Sequence, residues 1–252
     1  MARPRFFAIG PVPDEGTLPL SEADAHHARD VLRLQPGEEI VLAWAGAAWR
    51  VRLTEVGETL SGARAGEIAA SALPRVTLAQ GLPKGDKLDT IVRQVTELGV
   101  ARIVPFEAER SVVKLDPAKA AARAQRWRRI AEEAAKQSRR TAVPEVLAPV
   151  ASSDLARVLA GSAVIVCWED ATDAPGIAEA LAVLGVRDVV GALDVAIVIG
   201  PEGGLARAEV DALLAAGAVA VSLGDTVLRT ETAGVVAPAL LLYELGGLGA
   251  RR

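Results

Sequence analysis

Five consecutive apolar residues, Val195-Ala196-Ile197-Val198-Ile199, run straight into Gly200-Pro201-Glu202-Gly203-Gly204. A strand with no polar face must be covered on both sides, as in parallel sheets sandwiched between helices. The glycine-rich turn then falls at the strand's carboxyl end, where open α/β sheets bind ligands. The neighbouring chain fits the same architecture. Strands are expected at Val76–Gln80, Arg102–Phe106, Ala163–Trp168 and Ala218–Ser222. Helices are expected at Lys87–Leu98, from Pro117 to about Arg139, at Ala206–Ala215, and from near Thr232 to before Gly246-Gly247. Strands alternating with helices predict a parallel α/β sheet.

Residues 1–72 read differently, as a small β-rich domain with one helix. Ile40–Trp44 and Trp49–Leu53 flank Ala45-Gly46-Ala47-Ala48, a hairpin signal. Leu20–Leu34 is expected to be helical, with Ser21 as N-cap, Asp24 three residues on, and Pro36-Gly37 as the stop. Ser71-Ala72-Leu73-Pro74 marks the boundary, giving domains 1–72 and 73–252.

With 51% hydrophobic residues in 252 the chain can fill a large core, and with 3% aromatics that core is mostly aliphatic. No apolar run approaches the roughly 20 residues of a membrane span. The start, MARPRFF, lacks the apolar stretch of a signal peptide. The single cysteine, Cys167, excludes an internal disulfide, and with only His26 and His27 beside it no zinc site is expected. These features predict a soluble cytoplasmic protein with no membrane and no metal. The net charge of −4 hides an asymmetry. Residues 73–149 carry 15 Lys and Arg against 9 Asp and Glu, whereas 1–72 carry 7 against 10 and 150–252 carry 6 against 13. Such a basic middle is either a solvated helix face or a local field that attracts phosphate.

Two segments carry chemistry. The first, Ile197–Val210, is no dinucleotide fingerprint, because Glu202 stands where a pyrophosphate would approach. Nor is it a P-loop, since no Gly-Lys-Ser or Gly-Lys-Thr follows. It is either a tight turn that needs glycine or a site for a neutral or cationic ligand. The second is VSLGDTVLRTETAG, Val221–Gly234. Helix capping by Thr230, with Glu231 early in the helix, accounts for part of it. Capping does not account for Arg229, a cation where the helix dipole disfavours one.

GPEGG and SLG…LRTETA together resemble the C-terminal signature of the 16S ribosomal RNA uridine-N3 methyltransferases, a family of the SPOUT superfamily. The likeness extends in order through His26–Leu34, Leu78–Val100, Glu109–Lys114, Arg126–Arg140 and Val143-Pro144-Glu145, and so over nearly the whole chain. Two departures stand out: Leu205 replaces an expected aromatic, and Arg139 an expected glycine.

The resemblance implies an α/β SPOUT domain with a C-terminal trefoil knot, preceded by a small PUA-like β-barrel that binds RNA. It implies S-adenosylmethionine as cofactor, a homodimer, and 16S ribosomal RNA or the small ribosomal subunit as partner. Cofactor contacts are expected from Ile199, Gly200, Glu202, Gly203, Leu223, Gly224, Leu228, Thr230 and Thr232. A uridine N3–H is a weak acid, roughly in the 9–10 range of phenol and ammonium groups. Arg229 is therefore expected to stabilise the developing anion, with Glu202 or Glu231 as proton acceptor. RNA contacts are expected from His27, Arg29, Arg33, Lys84, Arg126, Arg129, Arg139 and Arg140. Arg126, Arg129 and Arg140 are read as one helix face, and Trp127 as core. The histidine-bearing helix is either RNA surface or a packing element. A non-catalytic RNA-binding assembly factor is the competing reading; it would have no use for GPEGG and LRTETA. A nucleotide-dependent α/β enzyme is disfavoured by the missing phosphate loop.

Overall fold

The computed structural model describes residues 3–68, 75–171, 173–186 and 194–249. The expected boundary Ser71–Pro74 lies outside the described residues. The chain divides into two compact units, Met1–Ala72 with Ala135–Val143, and Leu73–Ala134 with Pro144–Arg252.

The first unit contains β1 (Arg5–Phe7), β2 (Glu15–Thr17), α1 (Glu22–His26), β3 (Glu39–Trp44), β4 (Ala47–Val56) and β5 (Leu60–Ile68), with sheet order β1-β3-β4-β5-β2. Alternation decides its core: Ile40 and Leu42 of β3 and Val51 and Leu53 of β4 point to one buried face with Phe6, Leu18 and Leu60. The β3–β4 hairpin turns on Ala45 and Gly46, both at positive φ (50° and 86°), as a tight primed turn requires. Ser21 caps α1 as expected, its Oγ accepting from the Asp24 N–H at 3.1 Å. The expected helix Leu20–Leu34 is shorter. After His26 the chain loosens into a π-turn, His27–Val31, and Arg33 takes a left-handed φ of 54°. That reversal ends the helix before Pro36-Gly37 and turns Leu34 into the core.

The second unit contains β6 (Arg75–Gly81), α2 (Lys87–Leu98), β7 (Arg102–Glu107), α3 (Pro117–Gln137) except its last residues from Ala135, β8 (Glu145–Val146), β9 (Val150–Ala151), α4 (Leu155–Val158), β10 (Ala163–Cys167), α5 (Ile177–Val183), β11 (Asp194–Ile199), α6 (Arg207–Ala215), β12 (Val219–Val221) and α7 (Thr230–Glu244). Its strands pair in parallel in the order β12-β10-β11-β6-β7-β8, with β9 also on β7. Val195–Ile199 is buried throughout, as a central strand covered on both faces must be. After edge strand β12 the chain returns to the middle of the sheet, where α7 packs on β6 and α2.

Three local expectations need correction. Helix α5 was not read from the sequence, although Glu179 accepts from the Gly176 N–H at 3.0 Å and so marks its start. Helix α7 begins at Thr230 with Arg229 as its N-cap residue, so Thr230 is not the cap and Thr232 is not the start. Helix α3 ends at Gln137, so Arg140 does not share a helix face with Arg126 and Arg129. The chain turns at Arg139, which has a φ of 59°. A left-handed backbone costs a non-glycine residue about 1–2 kcal/mol, and this is the position where the resemblance leads one to expect glycine. Arg139→Gly is therefore expected to stabilise the protein by up to about 1 kcal/mol, after the extra chain entropy of glycine is subtracted. Urea unfolding checks this; a lower midpoint would contradict it.

Candidate active site

The carboxyl ends of β10 and β11 and the start of α7 surround a pocket of about 520 Å³, within the roughly 300–1,000 Å³ of small-molecule sites. Strand β11 delivers Ile199 to one wall, followed by Gly200, Pro201, Glu202 and Gly204. The opposite wall is Ser222–Glu231, the segment between β12 and α7. The two walls are joined directly, since the Thr230 hydroxyl donates to the Gly200 carbonyl at 2.6 Å.

Of the expected cofactor residues, Ile199, Gly200, Glu202, Leu223, Gly224, Leu228 and Thr230 line this pocket. Gly203 and Thr232 do not. Gly203 lies against Arg110, where a Cβ would stand 3.0 Å from the Arg110 carbonyl. Thr232 is exposed on the first turn of α7. Gly204 lines the wall in place of Gly203. Leu205 is 1% exposed and belongs to the core with Val198 and Val210, and it lies against Gly200, which lines the pocket. Sequence reasoning passed over Cys167, Trp168 and Glu169 at the tip of β10, although that strand was expected and strand tips are where ligands bind. Burial pushes the Cys167 thiol up to about 12, so it is protonated at neutral pH.

Lys87, at the first turn of α2, was also missed. Its ammonium lies 2.8 Å from Glu202 and 3.1 Å from Glu231, bridging the two walls at the pocket mouth. Hydrogen bonding to Glu202 and then to Glu231 raises the Lys87 pKa. Burial pushes the Glu202 carboxyl up, but Lys87 and the backbone N–H groups of Glu202 and Lys84 outweigh it and leave it below the ordinary carboxylate range. Glu231 is lowered by its own backbone N–H and by Lys87. Both are ionised at neutral pH, and this ion-paired state makes each a weaker proton acceptor than an ordinary glutamate. Arg229 also lines the pocket and has no ion pair among the described residues.

Among the described residues the lining holds four carboxylates, Glu169, Glu202, Asp225 and Glu231, against two cations, Lys87 and Arg229. That excess of negative charge suits a cationic ligand and opposes a phosphate. Two glycine-bearing walls, an adenosine-sized cavity and this charge fit S-adenosylmethionine.

Arg126 pairs with Asp86 at 3.4 Å and closely with Asp89, while Arg129 is exposed with no ion pair among the described residues. Trp127 is core, 2% exposed, its indole donating to Asp89 at 3.0 Å. Lys84 is exposed beside Glu202, to which its N–H donates at 3.1 Å. In the first unit His27 and Arg33 are exposed. Arg29 is held by Asp30 at 2.6 Å and by the Gly57 carbonyl at 3.1 Å. Arg139 is exposed, whereas burial pushes the Arg140 guanidinium down to about 10, so Arg140 is no freely solvated phosphate ligand. Among the described residues no helix is long and apolar enough to cross a membrane, and no group of three metal-ligating side chains occurs.

The RNA methyltransferase domain family matches residues 71–242, and the RNA methyltransferase PUA domain family matches residues 20–60. Sheet order, returning helix and walled pocket thus define a SPOUT-class RNA methyltransferase with a PUA domain before it. The chain is 36% identical to ribosomal RNA small subunit methyltransferase E of Bacillus subtilis, over 90% of each chain. It is 37% identical to the enzyme of that name from Mycobacterium bovis, over 92% of this chain and 88% of that one. The crystal structure of the Neisseria gonorrhoeae enzyme bound to S-adenosyl methionine superposes with a TM-score of 0.80, at 29% identity, covering 96% of this chain and 98% of that chain. The chain belongs to the ribosomal RNA small subunit methyltransferase E family.

Proposed function

We propose that this protein transfers a methyl group from S-adenosylmethionine to N3 of one uridine in 16S ribosomal RNA, acting in the cytoplasm. The observation that carries the reading is the pocket between the two glycine-bearing walls, net acidic and without a phosphate cradle. Residues 73–252 are the catalytic part and residues 1–72 an RNA-holding part.

When bound, the cofactor supplies an electrophilic methyl on a sulfonium, whose departure as a neutral thioether needs no acid. The protein's own task is to hold the uracil ring in line and to favour its N3 anion. Arg229 does the second, offering paired N–H donors to the ring oxygens that share the charge. Glu202 and Glu231 are the carboxylates placed to take the proton. Backbone N–H groups and Lys87 hold both carboxylates below the ordinary range, so the proton acceptor is weakly basic and stabilisation of the anion by Arg229 matters the more. Arg129, Arg139, Lys84, His27 and Arg33 offer exposed contacts to the RNA backbone.

The test is calorimetric titration with S-adenosylmethionine, followed by methyl transfer to naked 16S RNA and to small subunits, with the modified nucleotide mapped. Binding and a single N3-methyluridine are expected. Absence of cofactor binding would leave a non-catalytic RNA-binding role.

The protein acts as a homodimer in this reading. Helix α7 is apolar nearly all round, and such a helix is normally buried on all sides. One side, including Ala237, Pro238 and Leu241, is buried in its own unit, while Val236, Leu240 and Tyr243 are 37, 45 and 59% exposed. Leu240→Arg is expected to convert dimer to monomer in light scattering; an unchanged mass would move the interface elsewhere.

A further inference from the structure

Gln80 does not line the pocket, yet it touches both of its walls. It is the penultimate residue of the central strand β6 and is completely buried. Its amide nitrogen donates to the Gly81 carbonyl at 3.1 Å, to the Gly200 carbonyl at 3.4 Å and to Thr230 Oγ1 at 3.0 Å. Two of these partners are carbonyl oxygens. The third, the Thr230 hydroxyl, has committed its proton to Gly200. All three therefore accept, and only the NH2 end of the amide can face them, its two hydrogens shared so that the 3.4 Å contact to Gly200 is the weakest.

The other end is left over. Gln80 Oε1 is buried with no hydrogen-bond partner among the described residues and lies against Gly234 of α7, where an added Cβ would clash with it. A buried unsatisfied oxygen is costly, and native proteins hold few of them. The cost is tolerated where one side chain must meet three elements at once: β6, the turn after β11, and the first turns of α7. The outer bridge through Lys87 differs in kind. Its side chains are 28–37% exposed, so salt screens it. The Gln80 contact is dry and unscreened.

We propose that Gln80 is a positioning residue for the methyl donor: its single buried amide fixes the separation of the two glycine-bearing walls and so the width of the pocket between them. This rests on the reading that the pocket binds S-adenosylmethionine. Gln80 touches neither cofactor nor RNA; it acts through Gly200 and Thr230.

The test uses the full-length protein. Gln80→Met keeps side-chain length and removes the donors. Thr230→Val keeps shape and removes the hydroxyl, whereas Thr230→Ser keeps the hydroxyl. Affinity is read by calorimetry with S-adenosylmethionine, and KM by methyl transfer to 16S RNA. Gln80→Met and Thr230→Val are each expected to weaken donor binding by about tenfold or more. The KM for RNA should stay unchanged in Gln80→Met, and Thr230→Ser, which keeps the hydroxyl, should bind the donor more tightly than Thr230→Val. Because both changes break one pin, the double variant should bind no more weakly than the worse single one. Donor affinities within about twofold of the parent in both variants would overturn the proposal, as would Thr230→Ser binding as weakly as Thr230→Val. If Gln80→Met does not fold, the Thr230 pair decides. Failure of the unaltered protein to bind the donor would instead overturn the functional reading on which the proposal rests.

Discussion

Replacing Arg229 with alanine is expected to leave donor affinity nearly unchanged and to cut methyl transfer by about 10²–10³-fold, the usual loss when one preorganised donor to a developing oxyanion is removed. The reasoning is local. Arg229 occupies the N-cap of α7, makes no side-chain capping bond, and has no ion pair among the described residues. A cation at a helix N-terminus opposes the dipole by roughly 0.3–1 kcal/mol, so its removal should not lower the melting temperature. Arg229→Lys keeps the charge but loses the planar fork, and should fall between the two. Single-turnover methylation of 16S RNA at saturating donor, beside calorimetry and thermal unfolding, separates these effects. Unchanged turnover in the alanine variant would remove Arg229 from the chemistry.

The second large effect is expected at Gly81. A Cβ there would stand 2.5 Å from Pro201 Cδ, 2.6 Å from Pro201 N and 3.0 Å from the Gly200 carbonyl carbon. Two of those atoms are backbone and the third is in a rigid ring, so none can swing aside. Gly81→Ala should therefore push the Gly200–Gly204 turn off β6, destabilising the protein by about 1–3 kcal/mol, as overpacking does. It should also weaken donor binding more than tenfold, since Gly200 and Pro201 line the pocket. Urea unfolding and calorimetry read the two effects. Parent-like affinity would mean that the turn moves without altering the pocket.

Most elements of the second unit were legible because their signals are local. Val195–Ile199 announces a central strand by lacking any polar face, and α2 spans Lys87–Leu98 as its periodicity predicts. The small deviations have local causes too. Helix α1 ends at His26, where the chain loosens into the π-turn His27–Val31 before Arg33 turns left-handed, and α3 ends at Gln137, two residues before the left-handed Arg139. A residue's neighbours in sequence do not reveal that its φ has reversed.

The site was legible in outline only. Glu202, Arg229 and Glu231 drew attention as charges beside glycine turns. Lys87 did not, because a lysine at the first turn of an amphipathic helix looks like a solvated face until Glu202 and Glu231 arrive from segments more than 110 residues away. Arg126 errs in the opposite direction: part of a basic run in sequence, it proves to be neutralised by Asp86 and Asp89.

The sequence by itself determined the parallel sheet, the glycine turns at its strand tips and the family, because periodicity, turn chemistry and ordered motifs are written along the chain. Only the tertiary structure decided which glycine walls the pocket, which cation bridges it and which buried amide pins it. Those are matters of distance between segments remote in sequence, set when α7 returns from the sheet edge to pack on β6 and α2.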